Sequence, residues 1–152
     1  MEFKNILVPI DFSDASLHAV KLAGALATKT GGRVTLLHIG VIPHFYATEF
    51  GLSESSGPLF TQMSQELATE QKAKLESIRL GNLPSEVATA TVIREGWPPE
   101  EVLEELRSGS YDLLVMGTHG RTGLKRALLG SVTERVVREC PIPVMVTHGP
   151  KV

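Results

Sequence analysis

Five short apolar runs punctuate the chain, and segments with helical spacing separate them. The runs are Ile6-Leu7-Val8-Pro9-Ile10, Val34 to Ile39, Val87 to Ile93, Leu113 to Met116, and Ile142 to Thr147. They are too short for helices and rich in β-branched residues, which predicts strands. The first, second and fourth are apolar on both alternating faces. Strands covered by helices on both sides read this way, so the predicted sheet is parallel.

Between the strands, Ser13 can cap a helix with Leu17, Val20, Gly24 and Ala27 on one face, ending at Gly31-Gly32. A second helix is predicted from about Leu59 to Leu80. It has Phe60, Met63, Leu67 and Ile78 near a 3.6 period and Gly81 as its stop. Pro98-Pro99 opens a third, carrying Val102, Leu103 and Leu106, closed by Gly109. A fourth begins near Ser131, with Val132, Val136, Val137 and Cys140 inward and Pro141 ending it. The segment from Gly40 to Pro58, rich in Gly, Ser and Pro, reads as a long loop. The order predicts one α/β domain over residues 1–152: a doubly wound, five-stranded parallel sheet with helices on both faces. The predicted strand order is 3-2-1-4-5. Strands one and four are then neighbours where the chain reverses direction, and the crevice at their C-terminal ends is where such sheets bind ligands.

Composition narrows the function. The 152 residues are 42% hydrophobic and 21% charged, with fifteen basic against seventeen acidic side chains. A net charge of −2 advertises neither nucleic acid nor an anionic membrane as a partner. No apolar run approaches the ~20 residues of a membrane span. The N-terminus does not read as a signal peptide. One cysteine excludes an internal disulfide and any cysteine-rich metal site. The expected setting is a reducing compartment, the cytoplasm.

The candidate chemistry lies at the crevice. Strand one ends in Pro9-Ile10-Asp11, and strand four runs into Gly117-Thr118-His119-Gly120-Arg121-Thr122-Gly123 and on to Gly130-Ser131. Neither G-x-G-x-x-G nor G-x-x-x-x-G-K-[ST] is present. What stands here is G-x2-G-x9-G-S, in Gly117, Gly120, Gly130 and Ser131. Glycines of this kind let a backbone come close to something or adopt a positive φ. Gly130-Ser131 opens a helix, whose unpaired N–H groups and dipole attract anions. Arg121, Lys125 and Arg126 add charge nearby, which points to a ligand with several phosphates.

These residues, with Asp11-Phe12-Ser13, Leu36-Leu37-His38-Ile39 and the tail Cys140-Pro141-Ile142-Pro143-Val144, carry a resemblance over essentially the whole chain. The chain resembles the universal stress protein family, in its ATP-binding branch. That resemblance implies ATP as ligand, with Mg²⁺ carried by the phosphates. It implies that Asp11, beside Pro9, faces the ribose and adenosine side, and that Ile39 meets adenine through its backbone. Gly117, Thr118, His119, Gly120, Arg121 and Thr122 would surround the ribose and α-phosphate. Gly130, Ser131, Val132 and Thr133 would cradle the β- and γ-phosphates through N–H groups and two hydroxyls. It also points to a homodimer through the last strand, which is apolar and carries no lysine to block edge pairing.

Plainer readings stand beside these. Ser131-Val132-Thr133-Glu134 is also a capping box. Asp11 can cap the first helix, His38 reads as a packed core histidine, and Trp97 reads as covering a helix–sheet seam. Cys140 reads as a small buried residue. His44 and His148 show no visible partners, so no zinc site is expected. No activated nucleophile or carboxylate pair is visible, so no catalytic residue is assigned and any hydrolysis should be slow. The competing functions are an interaction protein indifferent to nucleotide and a nucleotidyl transferase or pyrophosphatase of related fold. The latter would need an added substrate domain or tail.

Overall fold

The structure, a computed structural model, describes residues 2–40, 57–119 and 129–150. The five strands are β1 (Asn5–Ile10), β2 (Arg33–Gly40), β3 (Ala88–Glu95), β4 (Leu113–Gly117) and β5 (Val144–Thr147). The helices among the described residues are α1 (Asp14–Thr30), α2 (Gly57–Asn82), α3 (Pro98–Ser108) and α4 (Ser131–Glu139). The strands form one sheet in the order β3-β2-β1-β4-β5, and every pairing is parallel. The three runs that are apolar on both faces are the three central strands.

Alternation along the strands divides the core in two. Ile6, Val8, Ile10, Val34, Leu36, Leu113 and Val115 face α1 and α2, joined by Ala19, Val20, Ala23 and Leu75. Leu7, Leu37, Leu114 and Met116 face the other way, against Val102, Leu103 and Leu106 of α3 and Val136 of α4. Each such side chain, fully buried, contributes about 1.5–3 kcal/mol. Helix α1 buries a face of small residues, Ala15, Ser16, Ala19, Ala23, Gly24 and Ala27, and so lies close on the sheet. Ser13 is its N-cap, accepting from Ser16 N–H, and Gly31 closes it at φ 65°. That left-handed turn is where glycine is favoured.

Several expectations are corrected. Helix α2 runs from Gly57 to Asn82, so Gly81 lies inside it. It ends instead where the Asn82 side chain donates to Ile78 O (2.9 Å) and Leu83 N–H to Arg79 O (3.1 Å). Leu75 is buried, but Leu59, Met63 and Leu67 are 63%, 61% and 41% exposed. The apolar period of the first turns of α2 therefore does not mark a core face. Trp97, at the N-cap of α3, is 61% exposed and covers no seam. Val137 is turned outward while Val136 is fully buried, because a nine-residue helix lying on one sheet face buries a narrow stripe. Cys140 is part-buried against the second core, and burial raises its thiol pKa. Most of the Gly40–Pro58 loop, His44 with it, lies outside the described residues.

Candidate functional site

The C-terminal ends of β1, β2 and β4 converge on a cavity of about 400 Å³. From β1 it takes Pro9 and Ile10, with Asp11 just beyond the strand, and from β2 His38 and Ile39. From β4 it takes Met116 and Gly117, and from the start of α4 Gly130, Ser131, Val132 and Thr133.

Strand β1 leaves the sheet through a strained residue. Phe12 sits at φ 66°, the sole positive-φ side-chain-bearing residue among those described. That conformation costs about 1–2 kcal/mol in an L-residue. The Phe12 ring is held 4.4 Å from the His38 ring, with Lys74 Nζ 4.4 Å from its centroid on the cation side. The reversal aims Asp11 into the crevice. Asp11 Oδ1 accepts from Ser13 N–H (3.0 Å) and from Ser13 Oγ–H (2.5 Å). Ser13, not Asp11, therefore caps α1, and Asp11 braces the cap.

Helix α4 begins differently from its expected capping box. Its N-cap is Gly130, at φ −61° and ψ 154°, and among the described residues no side chain caps it. Ser131 is one residue too far along to act as the cap. Glu134 N–H makes the first helical bond, to Gly130 O (2.9 Å), and the Glu134 carboxylate pairs outward with Arg138 (2.5 Å). The first N–H groups of a helix have no intrahelical acceptor, so this terminus presents donors and the positive dipole end to the cavity. The terminus is anchored to β4 at two points. Gly130 N–H donates to Thr118 O (2.7 Å), and Thr133 Oγ1 donates to Gly117 O (2.8 Å). Of the two hydroxyls expected to meet phosphate, that of Thr133 is thus engaged in holding helix to strand.

Thr118 is 2% exposed and sits behind the cavity rather than in it. Its N–H donates to Thr147 O (2.9 Å), and its Oγ1 lies 2.8 Å from His119 Nδ1 and 3.2 Å from His148 Nδ1. His148, expected to lack partners, is therefore part of the support, and its carbonyl lies 2.6 Å from His18 Nδ1. His119 lines the cavity with a buried Nε2 that has no hydrogen-bond partner among the described residues. A buried polar atom left this way is costly unless something pairs with it. His38 is 6% exposed, as a packed core histidine should be, and its Nδ1 donates to Ile10 O (2.8 Å). It also reaches the cavity wall.

Pro9, Asp11, Ile39, Gly117, His119 and Gly130 to Thr133 are thus brought together. Gly120, Arg121 and Thr122 lie outside the described residues, as do Lys125 and Arg126. Sequence reasoning missed Ser16 of α1, Gln71 of α2 and Pro98 and Val102 of α3, which supply the remaining walls. Nothing local marks Gln71; Met116 and His38, also missed as cavity residues, could have been found as neighbours of Gly117 and Ile39. Asp11 is the one carboxylate on the lining, and no group of three metal-ligating side chains occurs among the described residues. Among the described residues, too, no helix is long and apolar enough to cross a membrane. Chemically, the site suits an elongated ligand that is apolar at one end, toward Ile39, Pro98 and Val102, and anionic at the other, toward the start of α4.

The profile of the Universal stress protein family matches residues 2–148. The chain belongs to that family. Universal stress protein MJ0531 of Methanocaldococcus jannaschii is 35% identical over 151 residues, spanning 98% of this chain and 84% of that protein. The solved structure of MJ0577, from the same organism, matches with a TM-score of 0.82 at 31% identity, covering all of both chains. A universal stress protein solved in complex with cAMP shares the fold, at a TM-score of 0.61 and 21% identity over 99% of this chain and all of that one. Both solved structures share the fold of this chain over nearly its whole length.

Proposed function

We propose that this protein binds ATP in the cavity and acts as a stress-response or signalling module, with at most slow hydrolysis. The observation that carries the reading is the uncapped start of α4, which opens on the cavity lining at Gly130 to Thr133. Charge-assisted hydrogen bonds to phosphate contribute about 1.5–3 kcal/mol each. A few of them bring a nucleotide to micromolar affinity, about −8 kcal/mol. The base lies at the far side, toward the tip of β2, with Ile39 backbone on its edge and Val102 and Pro98 against its face. A relative that holds cAMP supports an adenine nucleotide as the ligand class. The ribose and α-phosphate face His119 and, in this reading, Gly120, Arg121 and Thr122. Mg²⁺ is carried by the phosphates, with Asp11 the nearest carboxylate. The cytoplasm is the setting we assign, on the single cysteine.

Gly130→Val tests the reading. The N-cap backbone at φ −61° and ψ 154° is one that valine adopts without strain, and its branched side chain would stand at the phosphate position; a melting curve checks that the variant is folded. Calorimetry should show ATP affinity reduced at least ~10-fold, about 1.4 kcal/mol. Unchanged affinity in the folded variant refutes the assignment. For the wild type, affinity should fall in the order ATP, ADP, AMP, and turnover should stay well below the ~10 s⁻¹ of dedicated enzymes.

One observation favours a second reading, an interaction protein indifferent to nucleotide. Leu59, Met63 and Leu67 recur every four residues on α2 and are exposed, an apolar stripe among the described residues. Nucleotide retained through purification argues against it.

A further inference from the structure

The site so far has a phosphate end and a base end, but nothing described above distinguishes one purine from another. On the β2 side of the cavity, the polar side chains on the lining are Asp11, Ser16, His38 and Gln71. Asp11 Oδ1 is held by Ser13, Ser16 Oγ donates to Ser13 O (2.9 Å), and His38 Nδ1 donates to Ile10 O. Gln71 is different. It projects from α2, is half-buried, and its carboxamide makes no hydrogen bond to another described residue.

Its position has a cause in the sequence. Strand β2 ends at Gly40, and a Cβ added there would stand 3.1 Å from Gln71 Oε1 and 3.7 Å from Nε2. The absence of a side chain at position 40 lets the carboxamide lie against the strand tip, one residue from Ile39; a Cβ there would push it by a few tenths of an ångström. A donor and an acceptor on one planar group are therefore set at the cavity edge where the base is read.

We propose that Gln71 is the purine-selecting residue: its carboxamide reads the N6/N7 edge of adenine. The proposal rests on the ATP reading above. In that reading the Ile39 backbone meets the base from the N1 side, which leaves N7 and one N6 hydrogen for a side chain. Adenine presents there an amino donor beside a ring acceptor, which matches Gln Oε1 and Nε2 as a bidentate pair. Guanine and hypoxanthine present two acceptors on that edge, O6 and N7. Rotating the amide cannot satisfy both with good geometry, because one carboxamide atom is always an acceptor. A carboxamide on this edge therefore rejects 6-oxopurines, whereas on the N1 edge a flipped amide would accept them.

The test is calorimetric titration of the full chain with ATP, 7-deaza-ATP, ITP and GTP. 7-Deaza-ATP lacks the N7 acceptor but keeps the amino group, sugar and phosphates. Wild-type protein should bind it roughly 5- to 10-fold more weakly than ATP, and should bind ITP and GTP about 10-fold or more weakly. In Gln71→Leu, ATP affinity should fall to the level of 7-deaza-ATP, and the two should become equal. Equal wild-type affinity for ATP and 7-deaza-ATP overturns the proposal even if the variant fails to fold. So does a Gln71→Leu protein that keeps the wild-type ratio between them. In both cases tight ATP binding that Gly130→Val abolishes leaves the ATP reading standing. A wild-type protein that binds none of the four nucleotides overturns both.

Discussion

Replacing Gly117 by alanine probes why the glycine after β4 is there. Its φ is not in the left-handed region, so conformational freedom is not the reason. Proximity is: a Cβ added at Gly117 would stand 2.8 Å from the carbonyl carbon of Ala15, 2.8 Å from Ala15 Cβ and 3.1 Å from Ala15 O. Carbon atoms in contact prefer about 3.5–4.0 Å. The overlap is thus roughly 0.7–1.2 Å, and two of the three atoms belong to the backbone of a buried helical turn. Neither rotates away, so α1 or the tip of β4 must move. Overpacking of this kind costs about 1–3 kcal/mol. For 152 residues that corresponds to a fall in Tm of roughly 3–9 °C, measurable by calorimetric or circular-dichroism melting. The same shift displaces Gly117 O, the acceptor for Thr133 Oγ1, and with it the start of α4. ATP affinity should therefore fall along with stability. Ala15→Gly in the Gly117→Ala background removes the Cβ overlap but leaves the carbonyl carbon, so rescue should be partial. A folded Gly117→Ala protein with Tm within about 1 °C of wild type and unchanged ATP affinity would refute the steric argument.

Three further outcomes are expected. Glu105, 8% exposed, accepts from the Tyr111 hydroxyl (2.7 Å) and from Arg94 (3.1 Å), so Glu105→Ala should destabilise by about 1–3 kcal/mol in urea unfolding, whereas Glu105→Gln, which keeps an acceptor, should cost less. Burial first, and then the Glu105 carboxylate, push Tyr111 up to about 12, above its unfolded value near 10; its contribution is whole below pH 10 and is lost as pH rises toward 12, about 1 kcal/mol after allowance for its partial exposure. In a Tyr46→Phe background, tyrosinate absorbance should show that late titration and should move down in Glu105→Ala; a midpoint at 10 would contradict it. We also expect a homodimer through β5, the edge strand: the bonds from Leu114 N–H to Pro143 O and Thr118 N–H to Thr147 O put Val144 and Val146 on the outer side of the ladder, so fewer groups face outward than the apolar run alone suggests. Sedimentation equilibrium near 16.4 kDa would rule the dimer out, and Val146→Pro should shift a dimer toward monomer.

Much of the fold was legible because it rests on local rules. Alternation and β-branching marked all five strands. Runs apolar on both faces singled out β1, β2 and β4 as the strands with helices above and below. Ser13, Gly31 and Pro98 set helix ends through torsion and capping, which depend on neighbours in the chain. With right-handed crossovers these elements lead to the order 3-2-1-4-5 and so to the crevice between β1 and β4. The glycine pattern then placed Gly117 and Gly130 on its rim.

Other features could not be read this way, because they depend on which surfaces the crossovers bring together. An apolar 3.6 period says that a helix has an apolar face, not that the sheet reaches far enough to cover it; α2 outruns the sheet, and Leu59, Met63 and Leu67 are exposed. Ser131 fits a capping box by spacing, yet Gly130 N–H is drawn to Thr118 O, the helix starts one residue early, and among the described residues no side chain caps its N–H groups beside the cavity. His148, Thr118 and His119 meet only because β5 lies beside β4. Gln71 is far from Ile39 in the chain, and it reaches the same cavity wall because α2 packs over β2 and Gly40 leaves room. By itself, then, the sequence determined the strands, their order and the helix start that forms one end of the cavity, since periodicity, torsion and helix termini are properties of short segments. Tertiary structure alone decided which glycine is required by packing and which side chains complete the pocket, because those are distances between segments remote in the chain.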